Sequence, residues 1–235
     1  MAIPDLNSIF IRYEDLSHYS DAIFAKVASQ YPECVKCHQG CSDCCSAVFD
    51  LSLVEAMHIN LKFAKAFPFG SQRSELLAKA AKFDRDIAIL KRGYFHSVKE
   101  RAEGATTEEE ARSIAESVME QAARDRVPCP LLGDDGSCLM YEFRPITCRI
   151  YGIPLNIEGK SRVCPISGFS SGIEYPAVQI SKIQDMLDAL SLEIQQTCSS
   201  RFKDLHKVYI PISMALLTKY DEKYLGIGEI RAERD

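Results

Sequence analysis

The sequence has no excess of basic residues, no long apolar run, and no basic leader followed by an apolar stretch. Its formal net charge is −5, which argues against nucleic acid as a partner, because proteins that bind nucleic acid usually carry a basic face. The longest apolar stretches, such as YIPISMALL, are far too short to span a bilayer. Since the N-terminus also lacks a secretory pattern, we expect a cytoplasmic protein without a membrane partner.

Two kinds of catalytic pattern are missing as well. The sequence shows no glycine-rich phosphate loop, and no nucleophile, histidine and acid stand in a recognisable arrangement. No catalytic residue can therefore be named, and the class of substrate stays open. The oligomeric state is equally open from the sequence.

What the sequence does contain is helical periodicity over most of its length, which predicts a mainly α fold. Ser52 with Glu55, and Thr107 with Glu110, have the spacing of capping boxes at helix starts. Helical patterns cover residues 12–31, the stretch after Ser52, a stretch of about 28 residues from Ser71, the stretch after Thr107, and parts of 178–198 and 208–220. We expect one domain over residues 1–235, with an antiparallel helix hairpin inserted at about 71–126.

The composition changes between Pro128 and Pro165, where five of the ten prolines and four of the twelve glycines fall. No long helix fits this segment, because proline and glycine both interrupt helices. The stretch CPLLGDDGSCLMY has apolar arms around an Asp-Gly turn, and RIYGIPLNIEGKSRV has a similar pattern. Both predict small β-hairpins.

Nine of the ten cysteines lie in the two irregular segments, and this clustering is the strongest chemical signal in the sequence. The tenth, Cys198, lies near the end of a helix, and we expect it to be a small buried hydrophobe. The nine candidate metal ligands are Cys34, Cys37, Cys41, Cys44, Cys45, Cys129, Cys138, Cys148 and Cys164.

Metal binding explains the clustered thiols better than disulfides do, because a reducing cytoplasm keeps thiols unpaired. Thiolates suit both zinc and iron–sulfur clusters. Zinc sites often include histidine, and only His38 lies within a cysteine segment, so an all-cysteine set favours an iron–sulfur cluster. The adjacent Cys44 and Cys45 point in different directions, which favours two centres or one ligand beside a second thiol.

Arg144 and Arg149 flank Cys148 in the sequence. A buried group of thiolates carries negative charge, which nearby guanidiniums offset while donating hydrogen bonds to sulfur. We expect both arginines to have this supporting role at the metal centre.

Three blocks of the sequence closely resemble the YkgJ-like cysteine-cluster family: CSDCC, CPLL and CLMYEFRPITCR. The residues that carry the resemblance are Cys41, Cys44, Cys45, Cys129, Pro130, Cys138, Tyr141, Arg144, Pro145, Cys148 and Arg149. The resemblance implies a domain that chelates zinc or iron, and members of the family are often labelled iron–sulfur oxidoreductases. It covers about a fifth of the chain and says little about the long helices.

These observations together predict a cytoplasmic metalloprotein with one or two iron–sulfur centres, of the 4Fe-4S type in the favoured case. Electron transfer or redox chemistry is the expected role, with metal ions and a redox partner protein as partners. Two alternatives remain open: a structural zinc protein whose helices form a partner-binding surface, and a protein that passes metal to a client.

Overall fold

The computed structural model describes residues 2–38, 40–122, 125–157, 159–170 and 172–228. Within these residues the fold is mainly helical, which confirms the expected fold class. Its α-helices are α1 (Asn7–Gln30), α2 (Leu53–Ala66), α3 (Ser71–Ala102), α4 (Glu108–Ala122), α5 (Ile146–Ile150), α6 (Ile180–Thr197) and α7 (Ile212–Leu217).

The strands are short and pair in two small sheets. They are β1 (Asp50–Leu51), β2 (Leu155–Ile157), β3 (Lys160–Arg162), β4 (Val178–Gln179) and β5 (Ile210–Pro211). Strands β2 and β3 form the second expected hairpin, and β4 adds to β2 in parallel. The first expected hairpin is reduced to one antiparallel bridge between Leu132 and Cys138.

Helix α2 lies at the centre of the hydrophobic core. Every residue from Leu53 to Ile59 is buried, because α1, α6 and α7 all pack against this helix. The expected capping box is present at its start, where the Glu55 carboxylate accepts hydrogen bonds from the Ser52 amide at 3.1 Å and from the Ser52 hydroxyl at 2.9 Å. The first two turns of α2 are enclosed on all sides in this way, which fixes the position of the segments that contact them.

Two helix boundaries differ from the sequence patterns. Helix α1 begins at Asn7 rather than near residue 12, because Ile9 and Tyr13 extend its buried face toward the N-terminus. Helix α7 begins only after Pro211, because Ile210 and Pro211 pair with β1 as a strand. Proline lacks a backbone N–H and has a fixed φ, so it suits the junction where a strand ends and a helix starts.

Helices α3 and α4 fold back on each other as the expected hairpin. Only the first half of α3 joins the core, through Leu76, Ala80, Phe83 and Ile87, and it packs there against α7. Helix α4 contacts β3 through two exposed ion pairs, Glu116 with Lys160 and Glu120 with Arg162. Ion pairs of this kind contribute about 0–1 kcal/mol, so α4 is held mainly by α3.

None of the helices in the described ranges combines the length and the apolar character that crossing a bilayer would require.

Candidate metal centre

The two cysteine-rich segments, separated by 83 residues of sequence, lie side by side in the structure. The amide of Cys129 donates a 2.6 Å hydrogen bond to the carbonyl of Cys45, and the amide of Val127 donates one of 3.1 Å to the carbonyl of Ser46. A third bond runs from the Gly168 amide to the Cys34 carbonyl at 2.8 Å. Backbone pairing therefore joins the first segment to both ends of the second.

The thiols of this region line two neighbouring cavities. The smaller one, which we call the apolar cavity, has a volume of about 440 Å³, and the larger one, which we call the charged cavity, has a volume of about 760 Å³. The cysteines along the apolar cavity are Cys41, Cys44, Cys45, Cys129, Cys138 and Cys148. Those along the charged cavity are Cys37, Cys41, Cys44, Cys148 and Cys164.

Two cysteines lie apart from both cavities. Cys198 is 2% exposed and packs in the hydrophobic core beyond the end of α6, in agreement with the structural role expected for it. Cys34 is also buried, and its thiol contacts the Glu33 carboxylate at 3.4 Å rather than another sulfur. Cys34 is thus the one candidate ligand that the structure does not bring to either cavity.

Cys44 and Cys45 lie on a 3-10 turn over Asp43–Ser46 and contact each other through their thiols. The hydrogen bond from Cys45 to Cys44, helped by the nearby Arg144 guanidinium, lowers the pKa of Cys44 to about 7. The same hydrogen bond and burial raise the pKa of Cys45. Of these two adjacent thiols, therefore, Cys44 ionises more readily than Cys45.

Cys129 and Cys138 stand on either side of the tight turn at residues 133–136. The turn is closed by a hydrogen bond from the Gly133 amide to the Ser137 carbonyl at 2.8 Å, and Gly136 has a φ of +77°, which glycine adopts without strain. Burial raises the pKa of Cys129 to about 12, and burial also raises the pKa of Cys138. The turn brings both thiols to the apolar cavity.

Cys148 lies on the short helix α5, whose start is held by a buried carboxylate. Oxygen Oε1 of Glu55 accepts a hydrogen bond from the Ile146 amide at 3.1 Å, while Oε2 accepts from Ser52 at the start of α2. One side chain therefore caps two helices, and α5 is tied to the centre of the core. Burial raises the pKa of Cys148, and the neighbouring Cys44 and Cys129 sulfurs add to this effect.

The two arginines that flank Cys148 have different surroundings. Arg144 lines both cavities, and its positive charge lowers the pKa values of Cys44 and Cys138 against the effect of burial. Arg149 is 8% exposed and donates hydrogen bonds to Asp21 and to the carbonyls of Glu142 and Arg144. Arg144 thus lies among the sulfurs, whereas Arg149 donates its hydrogen bonds to oxygens, two of which belong to the turn before Cys148.

Several residues with a role at this centre gave no signal in the sequence. Gly152 lies so close to Cys37 that a Cβ atom there would be 2.2 Å from the sulfur. Arg126 lies 3.7 Å from the Asp43 carboxylate and donates a 3.3 Å hydrogen bond to the Tyr151 hydroxyl. Tertiary packing alone brings these residues together, so spacing along the chain could not reveal them.

The thiols of this region are spread around the two cavities and do not converge on one position. In the part of the chain that the structure describes, no three side chains of His, Cys, Asp or Glu are grouped closely enough to hold a single metal ion as they stand. A tetrahedral zinc ion needs four ligands at about 2.3 Å for sulfur, which places the sulfurs within roughly 4 Å of one another. The thiols along the apolar cavity are not grouped in that way among the described residues.

Comparison with family models, with curated proteins and with solved structures gives no significant match for this chain. The resemblance to the YkgJ-like family therefore remains an expectation from the three sequence blocks, and the site must be interpreted from its own chemistry.

Proposed function

We propose that this protein is a cysteine-ligated iron–sulfur protein that transfers electrons or carries out redox chemistry. The observation that carries the proposal is the apolar cavity, which is lined by six thiols, three from each of the two cysteine-rich segments. Soft thiolates are the ligands that iron–sulfur clusters require. The ligands we assign are Cys129, Cys138, Cys148 and one of the adjacent pair Cys44 and Cys45.

The size of the apolar cavity supports a cluster over a single ion. Its volume of about 440 Å³ falls within the range of small-molecule and cofactor sites. Four thiolates closed around one zinc ion would leave no such space, because their sulfurs would be in contact with one another. A 4Fe-4S cluster has its own inorganic core and needs ligands spread around it.

The surroundings of the thiols suit a redox group. The rest of the apolar cavity is lined mostly by hydrophobic side chains, namely Phe49, Ile59, Phe83, Leu131, Met140 and Ile212. An apolar lining limits the access of water and tunes the reduction potential of a bound metal group. Arg144 supplies a positive charge among the sulfurs, which offsets the negative charge of a thiolate-bound cluster.

Burial raises the pKa values of Cys129, Cys138 and Cys148, so these thiols lose their protons in order to bind a metal. A bound metal ion deprotonates its thiol ligands outright, and the reducing cytoplasm that we assign to this protein keeps those thiols available. We infer that a redox partner protein exchanges electrons with the cluster.

The test is anaerobic purification followed by iron and acid-labile sulfide analysis. We expect equal amounts of iron and sulfide, and we expect Cys129→Ser and Cys138→Ser to lose most of both. The matched controls are Cys198→Ala and Cys34→Ser, two buried cysteines away from the cavities, which should retain both. A colourless anaerobic preparation that contains zinc and no sulfide would overturn the proposal in favour of structural zinc.

A further inference from the structure

The charged cavity is the larger of the two cavities, and the ligands that we assign in the apolar cavity leave most of its wall without a role. Its volume of about 760 Å³ falls within the range of sites for small molecules. Cys44, Cys148 and Arg144 line both cavities. A molecule in the charged cavity would therefore lie beside the centre that we propose for the apolar cavity.

Arg144 is held in a fixed position at the boundary between the two cavities. Its Nε donates a 3.0 Å hydrogen bond to the Tyr141 carbonyl, and its guanidinium lies 3.7 Å from the centre of the Tyr141 ring. Its own carbonyl accepts a 2.8 Å hydrogen bond from the Nε of the buried Arg149. Pro145 follows directly and restricts Arg144 to an extended backbone, which is observed at φ −56° and ψ 140°.

The two terminal nitrogens of this guanidinium are left for a ligand. In the part of the chain that the structure describes, Nη1 and Nη2 of Arg144 take part in no hydrogen bond or ion pair. Two such nitrogens form a planar fork that matches the two oxygens of a carboxylate and binds them through parallel hydrogen bonds. Because the fork is already oriented, less conformational freedom is lost when a ligand binds.

The cations of the cavity wall differ in whether a carboxylate compensates their charge. Glu14 is paired with Lys62 at 2.7 Å, and Asp21 is paired with Arg149. Among the ion pairs of the described residues, none involves Arg144. Arg144 is thus the cation of this wall whose charge no carboxylate of the described chain matches, and a negatively charged ligand would compensate it.

The remaining carboxylates limit how much negative charge the ligand can carry. Asp43 lines the same cavity, 3.7 Å from the Arg126 guanidinium, and the exposed Glu142 also lines it. A ligand with two negative charges, such as phosphate, would meet more repulsion from these groups than a ligand with one. A monocarboxylate therefore suits this wall better than phosphate.

The cavity also offers aromatic surface to the rest of the ligand. Four aromatic side chains line it, namely Phe24, Tyr141, Phe143 and Tyr151. Aromatic rings pack favourably against one another in offset or edge-to-face arrangements, beyond the effect of the area they bury. A planar ring attached to the carboxylate would make use of these walls.

We propose that the charged cavity binds a small aromatic monocarboxylate, whose carboxylate pairs with Nη1 and Nη2 of Arg144 and whose ring packs against the aromatic walls. The inference goes beyond the proposed function, since it requires only Arg144 and the walls of the cavity and no bound metal. It assigns a ligand site, and a chemical class of ligand, to the side of Cys44 and Cys148 that faces away from the apolar cavity.

The probe is benzoate, titrated into the anaerobically purified protein by isothermal titration calorimetry. Two comparison probes divide its features: benzyl alcohol keeps the ring without the charge, and inorganic phosphate keeps negative charge without the ring. We expect a saturable heat with benzoate that fits one site per chain, and weaker binding of both comparison probes. Iron and acid-labile sulfide are measured in every sample.

The variants test the guanidinium and the aromatic wall separately. Arg144→Lys keeps the positive charge but loses the paired hydrogen bonds, so it should raise the Kd of benzoate by about tenfold or more and narrow the preference for benzoate over benzyl alcohol. Phe24→Leu should raise the Kd of benzoate by about threefold or more. Arg12→Lys, at an exposed arginine of α1 that pairs with Glu193, is the matched control and should leave it unchanged.

Far-ultraviolet circular dichroism of each variant checks that the helices are retained, so that a weaker interaction is not mistaken for unfolding. The absence of a saturable heat with benzoate, equal affinities for benzoate and benzyl alcohol, or an equal loss in Arg144→Lys and Arg12→Lys would refute the site. Tighter binding of phosphate would refute the monocarboxylate class. These outcomes leave the iron–sulfur protein standing, whereas a protein that binds benzoate through Arg144 but lacks iron and sulfide would overturn the proposed function alone.

Discussion

At the scale of single residues, the contact between Gly152 and Cys37 shows how little space remains beside the Cys37 sulfur. A Cβ atom at position 152 would lie 2.2 Å from the Cys37 sulfur and 3.2 Å from a ring carbon of Phe24. Real Cβ atoms do not approach so closely, so one of these groups would have to move. The backbone of Gly152 has no positive φ, which means that the restriction is one of space and not of conformation.

We expect Gly152→Ala to displace the exposed Cys37 side chain and to lower the free energy of unfolding by about 0.5–1.5 kcal/mol, the cost of forcing a side chain away from its rotamer. Urea denaturation followed by circular dichroism measures the loss. Gly93→Ala is the matched control, since Gly93 lies on the exposed surface of α3 with nothing within 4 Å of an added Cβ. That change should raise helix stability by about 0.5–1 kcal/mol, and an equal loss in both variants would contradict the packing argument.

His58 is the second informative residue, because it is a histidine inside the core. It is 3% exposed and lies on α2 against the Tyr13 ring, and its Nε2 is 2.9 Å from the Glu14 carboxylate. Burial lowers the pKa of His58, although the hydrogen bond with Glu14 opposes this. The hydrogen bonds from His58 and Lys62 in turn lower the pKa of Glu14.

These two shifts act in different pH ranges. A histidine whose pKa is lowered in the folded state takes up its proton more readily when the chain is unfolded, so stability falls as the pH falls through the unfolded value of about 6.5. A carboxylate whose pKa is lowered in the folded state keeps its contribution to the free energy of unfolding until the pH falls below about 4.5. As the pH is lowered from 7 to 5, therefore, the titration of His58 decreases the free energy of unfolding, whereas that of Glu14 does not.

We expect the free energy of unfolding of the wild-type protein to decrease between pH 7 and pH 5, and we expect His58→Gln to weaken that dependence. Glutamine can still donate a hydrogen bond to Glu14 but does not titrate. Urea unfolding at several pH values gives the slope of the free energy of unfolding against pH. The control is His96→Gln, at an exposed position of α3. An unchanged slope in His58→Gln would show that another group is responsible.

At the scale of elements, the link between α2 and α5 connects the core to the candidate metal centre. The Glu55 carboxylate is buried and accepts hydrogen bonds at the start of both helices. Helix α5 has only five residues, too few to be stable by itself. Its position, and hence that of Cys148, depends on this carboxylate and on the Arg149 contacts at its other side.

We expect Glu55→Ala to lower the free energy of unfolding by about 2–4 kcal/mol, because it removes the cap of α2 and leaves the buried Ile146 amide without a partner. It should also lower the iron content of the anaerobically purified protein by displacing Cys148. Thermal unfolding and iron analysis measure the two effects.

The control for Glu55 is Glu110→Ala at the start of α4. Glu110 accepts hydrogen bonds from the amide and hydroxyl of Thr106 in the same way, but at an exposed position. We expect Glu110→Ala to lower the free energy of unfolding by less than about 1 kcal/mol and to leave the iron content unchanged. If both variants lose iron equally, Glu55 does not position Cys148 through α5.

The elements also show what helical periodicity predicts and what it misses. The long apolar patterns predicted α2, α3, α4 and α6, because a buried face at intervals of three and four residues is a local property of the chain. The pairing of β1 with β5 joins residues about 160 positions apart, and two-residue strands carry no periodic signal. Helix α5 was missed for the same reason, since Pro145 and the distant Glu55 determine where it starts.

At the scale of the whole molecule, the sequence predicted that the two cysteine segments supply one metal-binding core, and the backbone pairing of Cys45 with Cys129 places them together. Clustering along the chain cannot tell which thiols face the same space. Cys34 belongs to the same short loop as Cys37 but packs in the hydrophobic core, where its carbonyl accepts a hydrogen bond from the distant Gly168 amide. The division of the remaining thiols between two cavities likewise depends on tertiary distances.

If the proposed function is correct, a bound metal group links segments of the chain that few packing contacts hold together. The helical core around α2 includes residues from α1, α3, α6 and α7, whereas the cysteine segments are mostly irregular and only partly buried. A group that binds only the folded state stabilises it by RT ln(1 + c/Kd), where c is the free concentration of the group. Local opening concentrates where buried contacts are fewest.

We expect removal of iron by a chelator under mild oxidation to increase amide hydrogen exchange in residues 40–48, 127–150 and 160–168, while α2, α6 and α7 keep their protection. Hydrogen exchange with mass spectrometry compares the protein before and after treatment, and far-ultraviolet circular dichroism reports that the helices persist. The double variant Cys129→Ser/Cys138→Ser, treated in the same way, should show rapid exchange in these segments from the start and no further change. Equal protection in the cysteine segments before and after iron removal would mean that packing alone keeps these segments folded. The metal would then make no contribution to their stability.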